Sequence, residues 1–303
     1  MERSEGVSDK ALNIQKSYQS SNSMGTLYLV ATPIGNLEDM TFRAIRTLKE
    51  VDWIAAEDTR QTRKLLTHYE IPTRMVSYHE HNKLHSGTEL VRLLLTGQSI
   101  ALVSDAGLPA ISDPGYELVK LAIADNIPVV PIPGANAALS ALIVSGLPTD
   151  RFTFAGFLPR DKKHLQQALE KLATREETLI FYESPHRVAK TLTAMETIWG
   201  NREIVLAREL TKRYEEMVRG TIADARLFLE NHPPLGEYCL VVGGYVQTQA
   251  QLDADNAWWA DLTVHEHTEH YENLGVDPKE AIKKTAIDRG VPKREVYNEL
   301  HRT

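Results

Sequence analysis

Three apolar runs in the first half of the chain end in short loops rich in glycine and proline, and this repetition constrains the fold more than any other feature. The most informative loop is 104–115, which follows the apolar run 99–103. Similar loops follow the runs 27–31 and 127–132. Parallel α/β folds bind small molecules at the carboxyl ends of their strands, and glycine lets a ligand come close to the backbone. The three loops therefore predict one shared ligand cleft.

The apolar runs of the first half alternate with segments of helical periodicity. Strands are predicted at 27–32, 51–56, 99–103 and 127–132, and helices beginning near Thr41, Arg60, Thr88, Tyr116 and Ala135. This alternation is typical of a parallel sheet with helices on both faces. The turn-rich segment 146–150 predicts a domain boundary.

The second half has a different pattern, because some of its strands follow each other closely. Strands are predicted near 152–157, 178–183, 203–208, 214–219 and 238–243, with helices near 161–173, 186–198 and 221–231. Closely spaced strands predict antiparallel pairs and hence a mixed sheet. We therefore expect a disordered arm over 1–24, an α/β domain with a parallel sheet over 25–148, an α/β domain with a mixed sheet over 149–246, and a helical extension over 247–303.

Composition excludes several classes of protein. The 303 residues contain one cysteine, Cys239, so no intrachain disulfide forms, and a reducing cytoplasm is expected. No apolar run approaches the roughly 20 residues that span a bilayer, and the start of the chain lacks the pattern of a signal peptide. The net charge of −7 argues against a general binder of polyanions or DNA.

Basic residues are nevertheless concentrated in two regions, 160–213 and 279–294. In the second region they lie on predicted helices interrupted by Gly-x-x and Gly-Val-Pro breaks. Two interpretations remain open for this extension: a small RNA-binding module, or a solvated charged tail.

Charged clusters follow four apolar runs, at 57–60, 77–82, 183–187 and 208–212. Taken alone, each cluster could simply be the start of a helix, where acidic side chains are stabilised by the positive end of the helix dipole. Their joint occurrence beside the glycine loops favours a charged active-site rim.

Other chemistries lack their motifs. The chain has no HExxH or paired-cysteine spacing for a metal, so no metal site is expected, and it has no P-loop, GxSxG or GxGxxG motif. Cys239 lies in an apolar run, where packing explains it better than nucleophilic catalysis.

Five segments together resemble the tetrapyrrole-methylase superfamily, and within it the bacterial enzymes that modify small-subunit ribosomal RNA. They are 27–37, 57–60, 104–107, 181–184 and 207–212. The resemblance covers about 25–244 and extends more loosely to the helical extension. It implies two α/β domains of tetrapyrrole-methylase type, with S-adenosylmethionine bound in the cleft between them, and a homodimer. The implied reaction is methylation of a cytidine 2′-hydroxyl in 16S rRNA, with the 30S subunit as its context.

The resemblance also implies roles for individual residues. Cofactor contacts are expected from Pro33, Ser104, Asp105, Ala106, Gly107, Ile111, Asn136, Ala137, Tyr182 and Cys239. RNA contacts are expected from Glu57, Asp58, Arg60 and Arg187, and the catalytic candidates are Glu183, Glu209, Arg208 and Lys212.

A ribose hydroxyl is a poor nucleophile, so a base and a nearby cation should assist it. Glu183 or Glu209 are the candidate bases, with Glu183 favoured, and Lys212 or Arg208 are the candidate cations.

Two alternatives remain for the function. One is another enzyme of the same fold, acting on a porphyrin-like small molecule or on a protein. The other is a non-catalytic RNA-binding factor. The charged clusters favour RNA, because a flat macrocycle would need a more open, apolar trough.

Overall fold

The computed structural model describes residues 14–16, 23–81, 83–247 and 257–301. The chain forms two compact units, divided between Tyr245 and Val246. In the described residues, the first unit contains two five-stranded sheets with their helices, and the second is helical.

The first sheet is parallel throughout, with the strand order β3-β2-β4-β1-β5. Its strands are β1 (Leu27–Val30), β2 (Trp53–Ala56), β3 (Met75–Ser77), β4 (Ile100–Val103) and β5 (Val129–Ile132). Strands β4 and β1 are central neighbours, so the loops that follow them meet at one edge. The predicted parallel sheet is confirmed.

Helices cover both faces of this sheet. They are α1 (Phe42–Glu50), α2 (Thr59–His68), α3 (Lys83–Leu95) and α4 (Gly115–Ala124). Helices α1 and α2 pack through residues such as Leu48 and Leu66 into one core, and α3 and α4 pack through Leu94 and Leu118 into another. The chain moves across the sheet in one direction from β1 to β3 and returns from β3 to β5. Right-handed crossovers therefore put the two helix pairs on opposite faces.

Two details of the first sheet differ from the prediction. Strand β3 was not among the predicted strands, because it is a three-residue edge strand. Helix α3 begins at Lys83, five residues before the expected start at Thr88, and the one apolar residue of its first turn, Leu84, is exposed and so lies off the buried face. Helix α1 begins directly after Thr41, close to the expected start, and the Thr41 side chain caps it by accepting a hydrogen bond from Ala44 N.

The second sheet is mixed, as predicted, with the order β6-β7-β10-β8-β9. Its strands are β6 (Phe152–Phe157), β7 (Thr178–Glu183), β8 (Glu203–Arg208), β9 (Glu216–Thr221) and β10 (Tyr238–Val242). Strands β6 and β7 are parallel, whereas β10 is antiparallel to both β7 and β8. Consequently the amino end of β10 lies beside the carboxyl ends of its two neighbours.

Four helices pack on the second sheet. On one face lie α6 (Lys162–Leu172), α7 (Val188–Trp199) and α8 (Ile222–Asn231). On the other face lies α5 (Ala137–Ser145), which follows β5 of the first sheet. Helix α5 therefore packs on the mixed sheet although it follows the last strand of the parallel sheet, and the segment 146–150 connects it to β6.

The second unit contains α9 (Val264–Asn273), α10 (Pro278–Asp288) and α11 (Lys293–Leu300), around a small core that includes Ile282 and Val296. The fully buried His267 accepts a hydrogen bond at Nδ1 from Arg289 Nε, and its Nε2 lies 3.1 Å from Asp288 Oδ2. Residues 248–256 of the expected helical extension lie outside the described residues. None of the helices described is long and apolar enough to cross a membrane.

Most of the predicted N-terminal arm also lies outside the described residues. Gln15 is described, and its side-chain amide bonds both Val129 N and Val129 O of the edge strand β5, at 2.8 and 2.9 Å. These bonds attach Gln15 to the edge of the parallel sheet, and the disordered arm over 1–24 stays a prediction.

Candidate active site

A cavity of about 480 Å³ lies in the first unit, and residues from both sheets line it. Its size is typical of small-molecule and cofactor sites. Nine of the ten predicted cofactor contacts line it, namely Ser104, Asp105, Ala106, Gly107, Ile111, Asn136, Ala137, Tyr182 and Cys239. The predicted cleft beside the glycine loops is therefore present.

The parallel sheet contributes a wall built from two joined loops. Thr32 N donates to Gly107 O at 2.9 Å, and Gly107 N donates to Thr32 O at 3.1 Å. Thr32 Oγ1 also donates to Ser104 O. These bonds extend the β1–β4 pairing beyond the strands, so the two loops form one surface.

Gly107 has a backbone conformation that few other residues adopt. Its φ is +78°, and an added Cβ would lie 3.3 Å from Ile34 Cγ2 and 3.4 Å from Ala135 O. The glycine therefore allows the turn and keeps the cavity surface free of a side chain.

Three carboxylates occupy the same wall. Asp105 Oδ1 accepts from Asp58 N at 3.0 Å, which joins the loop after β4 to the loop after β2. The carboxylate of Asp113 accepts from Ala110 N and Gly115 N. Burial raises the pKa of the Glu57 carboxyl, and the neighbouring charges of Asp105 and Asp113 raise it further. Like charges thus favour a proton on Glu57.

The mixed sheet contributes an aromatic and apolar surface. Tyr182 Oη accepts from Ala138 N at 3.2 Å and so connects β7 to the start of α5. Phe154 and Phe157 contact the Tyr182 ring edge-on. Burial raises the pKa of the Cys239 thiol to about 12. Cys239 is therefore an apolar packing residue rather than a nucleophile.

Glu183 is the most enclosed charged residue of the cavity, and its side chain is only 1% exposed. Its Oε1 accepts from Ser184 N at 2.9 Å, and its Oε2 accepts from Thr191 Oγ1 at 2.8 Å. Arg187 Nη2 lies 3.5 Å from Oε2 and donates to the carbonyls of Leu158 and Pro159. Both carboxylate oxygens of Glu183 therefore already have partners in the protein.

A second charged group lies in the loop after β8. Lys212 Nζ donates to Glu209 Oε1 at 2.9 Å and to Glu237 Oε2 at 2.8 Å. Burial alone would lower the pKa of Lys212, but the hydrogen bonds to Glu237 and Glu209 outweigh it, and the pKa is raised. Lys212 is thus held as a cation at the cavity wall.

Backbone strain is concentrated in the loops of this cavity. Of the six non-glycine residues with positive φ in the described chain, four lie in the loops after β4 and β8, namely Ala110, Ser112, Glu209 and Thr211. Strained backbone persists where the surrounding structure fixes it, and functional sites are the usual location.

Five predicted site residues do not line the cavity. Pro33 precedes Ile34, which lines it instead. Asp58 and Arg60 pair with each other at 2.9 Å, and the Arg60 side chain is 88% exposed. Arg187 lies behind Glu183, and Arg208 Nε lies 3.3 Å from Glu216 Oε2. The catalytic candidates Glu183, Glu209 and Lys212, and the RNA candidate Glu57, do line the cavity.

The sequence analysis missed Glu237 and Tyr238, which also line the cavity. They stand at the amino end of β10, whereas the charged clusters singled out in the sequence all follow apolar runs. The turn at Gly236 was the available signal. An added Cβ there would lie 2.5 Å from the carboxylate of Glu209, so this glycine makes room for Glu209.

A shallow depression adjoins the cavity. It is lined by residues of the loop after β1, by His68 of α2, and by 211–213 of the loop after β8. Lys212 lines both the depression and the cavity. The two are therefore neighbouring parts of one surface.

The charged cluster predicted at 77–82 does not line the cavity. Asn82 lies outside the described residues, and Tyr78 is buried, with its Oη donating to Pro114 O at 3.1 Å. In the part of the chain that the structure describes, no group of three His, Cys, Asp or Glu side chains could hold a metal ion.

Comparison with known proteins defines the family. The model of the tetrapyrrole (corrin/porphyrin) methylases matches residues 26–226, and the chain belongs to this family. Within it, the chain is 58% identical to the ribosomal RNA small subunit methyltransferase I of Halalkalibacterium halodurans and 57% identical to that of Bacillus subtilis. Each alignment covers 96% of this chain and 99% of the relative.

Solved structures agree on the fold. Diphthine synthase superposes with a TM-score of 0.57 at 11% identity, covering 76% of this chain and 94% of that one. Uroporphyrin-III C-methyltransferase from Thermus thermophilus, complexed with S-adenosyl homocysteine, gives a TM-score of 0.50 at 22% identity, covering 72% and 97%. The expected tetrapyrrole-methylase fold is confirmed.

Proposed function

We propose that this protein transfers a methyl group from S-adenosylmethionine to small-subunit ribosomal RNA, at the 2′-oxygen of a cytidine in 16S rRNA. The observation that carries the proposal is the cavity itself, which has a glycine-containing wall on one side and a wall of aromatic and paired charged side chains on the other. The near-full-length similarity to relatives named ribosomal RNA small subunit methyltransferase I supports the choice of RNA.

The cavity suits S-adenosylmethionine in size and lining. Gly107 leaves a surface that a side chain would fill, and Ile111, Phe157 and Tyr182 offer apolar contact. We propose that the nine predicted contacts that line the cavity hold the cofactor, with Ile34 in place of Pro33. Bound there, S-adenosylmethionine would supply an electrophilic methyl group.

Of the carboxylates that line the cavity, we propose Glu57 as the general base. A base needs an oxygen that reaches the substrate and a pKa near the working pH. Glu57 lines the cavity, and burial together with the charges of Asp105 and Asp113 raises its pKa toward that range. Both oxygens of Glu183 are occupied, and Lys212 together with Glu237 N lowers the pKa of Glu209 despite its burial. A carboxylate oxygen of Glu57 would accept the proton from the 2′-oxygen.

The other charged residues receive positioning and electrostatic roles in this proposal. Glu183 and Arg187 fix the segment 183–187 at the cavity wall. The Lys212 cation stabilises the negative charge that develops on the ribose oxygen. Arg208, paired with Glu216 outside the cavity lining, supports the loop after β8.

The helical unit is a second candidate for RNA contact. Its exposed cations include Lys279, Lys283, Lys284, Lys293 and Arg294, whereas Arg289 is bonded to His267 in the unit's interior. We propose that these exposed cations contact phosphates. The predicted homodimer and cytoplasmic location stay predictions.

The test is incubation of the purified protein with labelled S-adenosylmethionine and 30S subunits from cells that lack the enzyme, followed by mapping of the label. We expect label on one cytidine 2′-oxygen of 16S rRNA. Cofactor binding without label on rRNA would contradict the choice of substrate, and transfer to a porphyrin-like ring would support the small-molecule alternative. Absence of cofactor binding would contradict the assignment of the cavity.

A further inference from the structure

The two helical faces of the parallel sheet differ sharply in charge. Helices α1 and α2, on one face, carry six Lys and Arg residues and one acid, Glu50. Helices α3 and α4, on the other face, carry three Lys and Arg residues and two Glu. A chain with net charge −7 thus has one strongly basic helical layer.

The cations of this layer all lie on its outer side. Thr47, Leu48, Leu65 and Leu66 bury the inner side of the two helices. The exposed residues recur at helical spacing, and we name them the basic face: Arg43, Arg46 and Lys49 of α1, and Arg60, Arg63, Lys64 and His68 of α2. The acids nearby stand at or beyond the ends of the helices, at Glu38, Asp39, Glu50, Asp52 and Glu70.

The basic face also differs from the opposite layer in how its charges are paired. Each cation of α3 and α4 has an acidic partner within four residues: Lys83 with Glu80, Arg92 with Glu89, and Lys120 with Glu117. On α1 and α2, within the described part of the chain, only Arg60 has an ion pair, with Asp58. The positive potential of the basic face is therefore not cancelled locally.

Both ends of α2 adjoin the candidate active site. At its start, Asp58 caps the helix, pairs with Arg60 and donates its N–H to Asp105 of the cavity. At its end, His68 lines the depression that shares Lys212 with the cavity. A polyanion bound along α2 would thus pass directly beside the cavity.

We propose that the basic face is the docking surface for the phosphate backbone of the RNA substrate, which it holds while the target nucleotide enters the cavity. The proposal rests on the proposed function. Phosphate contacts position a nucleic acid without reading its sequence, and rows of Lys and Arg with few partners are suited to that role. The exposed Phe42, at the start of α1, adds an aromatic ring on which an unpaired base can stack.

The experiment compares two matched triple variants. The first is Arg46→Gln/Lys49→Gln/Arg63→Gln, which removes three charges from the basic face and leaves the residues that line the cavity unchanged. The control is Lys83→Gln/Arg92→Gln/Lys120→Gln, which removes three charges from the opposite layer. For both we would measure folding by thermal unfolding, the Kd for S-adenosylmethionine, and the salt dependence of binding to 30S subunits.

We expect the first variant to bind 30S subunits at least tenfold more weakly than the unchanged protein, with unchanged cofactor affinity and unchanged kcat at saturating subunits. The negative slope of log K against log salt should become shallower by about 2, because each lost phosphate contact removes about 0.7 from its magnitude for single-stranded nucleic acid. The control should change subunit binding less than twofold.

Equal weakening by the two triple variants, or a loss below twofold in both, would overturn the basic face while leaving the proposed function intact. If the unchanged protein neither bound nor methylated the subunit, the proposed function and the basic face would both be wrong. Binding to anionic lipid vesicles at the same salt, with no binding to subunits, would assign the face to a membrane surface and overturn the proposal.

Discussion

The two walls of the cavity contribute to it in different ways. The wall from the parallel sheet presents backbone, glycine and short polar side chains, held by the bonds between Thr32 and Gly107. The wall from the mixed sheet presents an aromatic and apolar surface, and beside it long charged side chains that bond one another, as Lys212 does with Glu209 and Glu237. The first wall depends on the absence of side chains, and the second on complete pairing of charges. A substitution should therefore fail for different reasons on the two walls.

Glu57 is the exception on the first wall, and it should give the largest effect. Glu57→Gln removes the proposed base while keeping shape, so kcat should fall by about 10²–10⁴, the range for general base catalysis. The Kd for S-adenosylmethionine should stay within about threefold. Single-turnover methylation of 30S subunits and a cofactor titration measure the two quantities. Retention of full turnover would remove Glu57 from the mechanism.

Glu183 tests the opposite wall, where a buried charge should support the fold. Glu183→Gln leaves Arg187 without its charged neighbour, so the free energy of unfolding should fall by about 1–3 kcal/mol, the usual cost of disturbing a buried polar group. Thr191→Val removes only the hydrogen bond from the threonine hydroxyl to Glu183 Oε2, and it should lower the free energy of unfolding by less. Denaturant unfolding checks both. A Glu183→Gln protein of unchanged stability but without turnover would instead support Glu183 as the base.

Gly107 tests whether the first wall requires the absence of a side chain. Gly107→Ala forces alanine into a left-handed conformation, which costs about 1–2 kcal/mol, and the new methyl group has contacts at 3.3–3.4 Å. We expect the Kd for S-adenosylmethionine to rise about 5–30-fold if that cost falls on the bound state. Gly146→Ala is a suitable control, because Gly146 also has positive φ but has nothing within 4 Å. If the two variants lost cofactor affinity equally, the first wall would not require the absence of a side chain at Gly107.

The sequence predicted the first wall better than the second, for a physical reason. In a parallel sheet every loop at the ligand edge follows a strand, so the loops that contain Ser104–Gly107 and Asn136 could be placed beside one cleft from the order of residues, whereas their roles as cofactor contacts came from the family resemblance. In the mixed sheet β10 runs the other way, so its cavity residues are Glu237, just before the strand, and Tyr238 and Cys239, its first two residues. The sequence also does not show how deeply an acidic side chain is buried. The sequence offers Glu183 and Glu209 as bases, with Glu183 favoured, and only the structure shows the partners of their oxygens.

The two walls touch at Gly35 and Lys212, and breaking that contact should give a smaller, coupled effect. An added Cβ at Gly35 would lie 2.3 Å from Lys212 Cγ, so Gly35→Ala must displace the lysine from its two acids. We expect Gly35→Ala to lower kcat/KM about tenfold. In a protein that already carries Lys212→Ala, the same substitution should lower kcat/KM much less. A coupling energy of about 1 kcal/mol is usual for residues in contact. Additive losses in the double-mutant cycle would show that Gly35 acts independently of Lys212.

The smallest effect concerns stability against pH, and it separates the two walls by the sign of their pKa shifts. Glu57 has a pKa raised by burial and by Asp105 and Asp113, so the folded state binds its proton more tightly than the unfolded chain. Its contribution to stability is present below the ordinary pKa and is lost as pH rises through the raised value. Glu209, whose pKa Lys212 lowers, stabilises the fold above its ordinary pKa and loses that contribution as pH falls.

Glu57→Gln should therefore raise Tm at pH 7 and have less effect at pH 4. Glu209→Gln should lower Tm, and should do so most at pH 7. A shift of about 2–4 °C corresponds to about 1 kcal/mol for a unit of this size. If Glu57→Gln lowered Tm at pH 7, hydrogen bonds among the carboxylates of the first wall would outweigh the repulsion between their charges. The raised pKa of Glu57, on which its role as a base depends, would then be wrong.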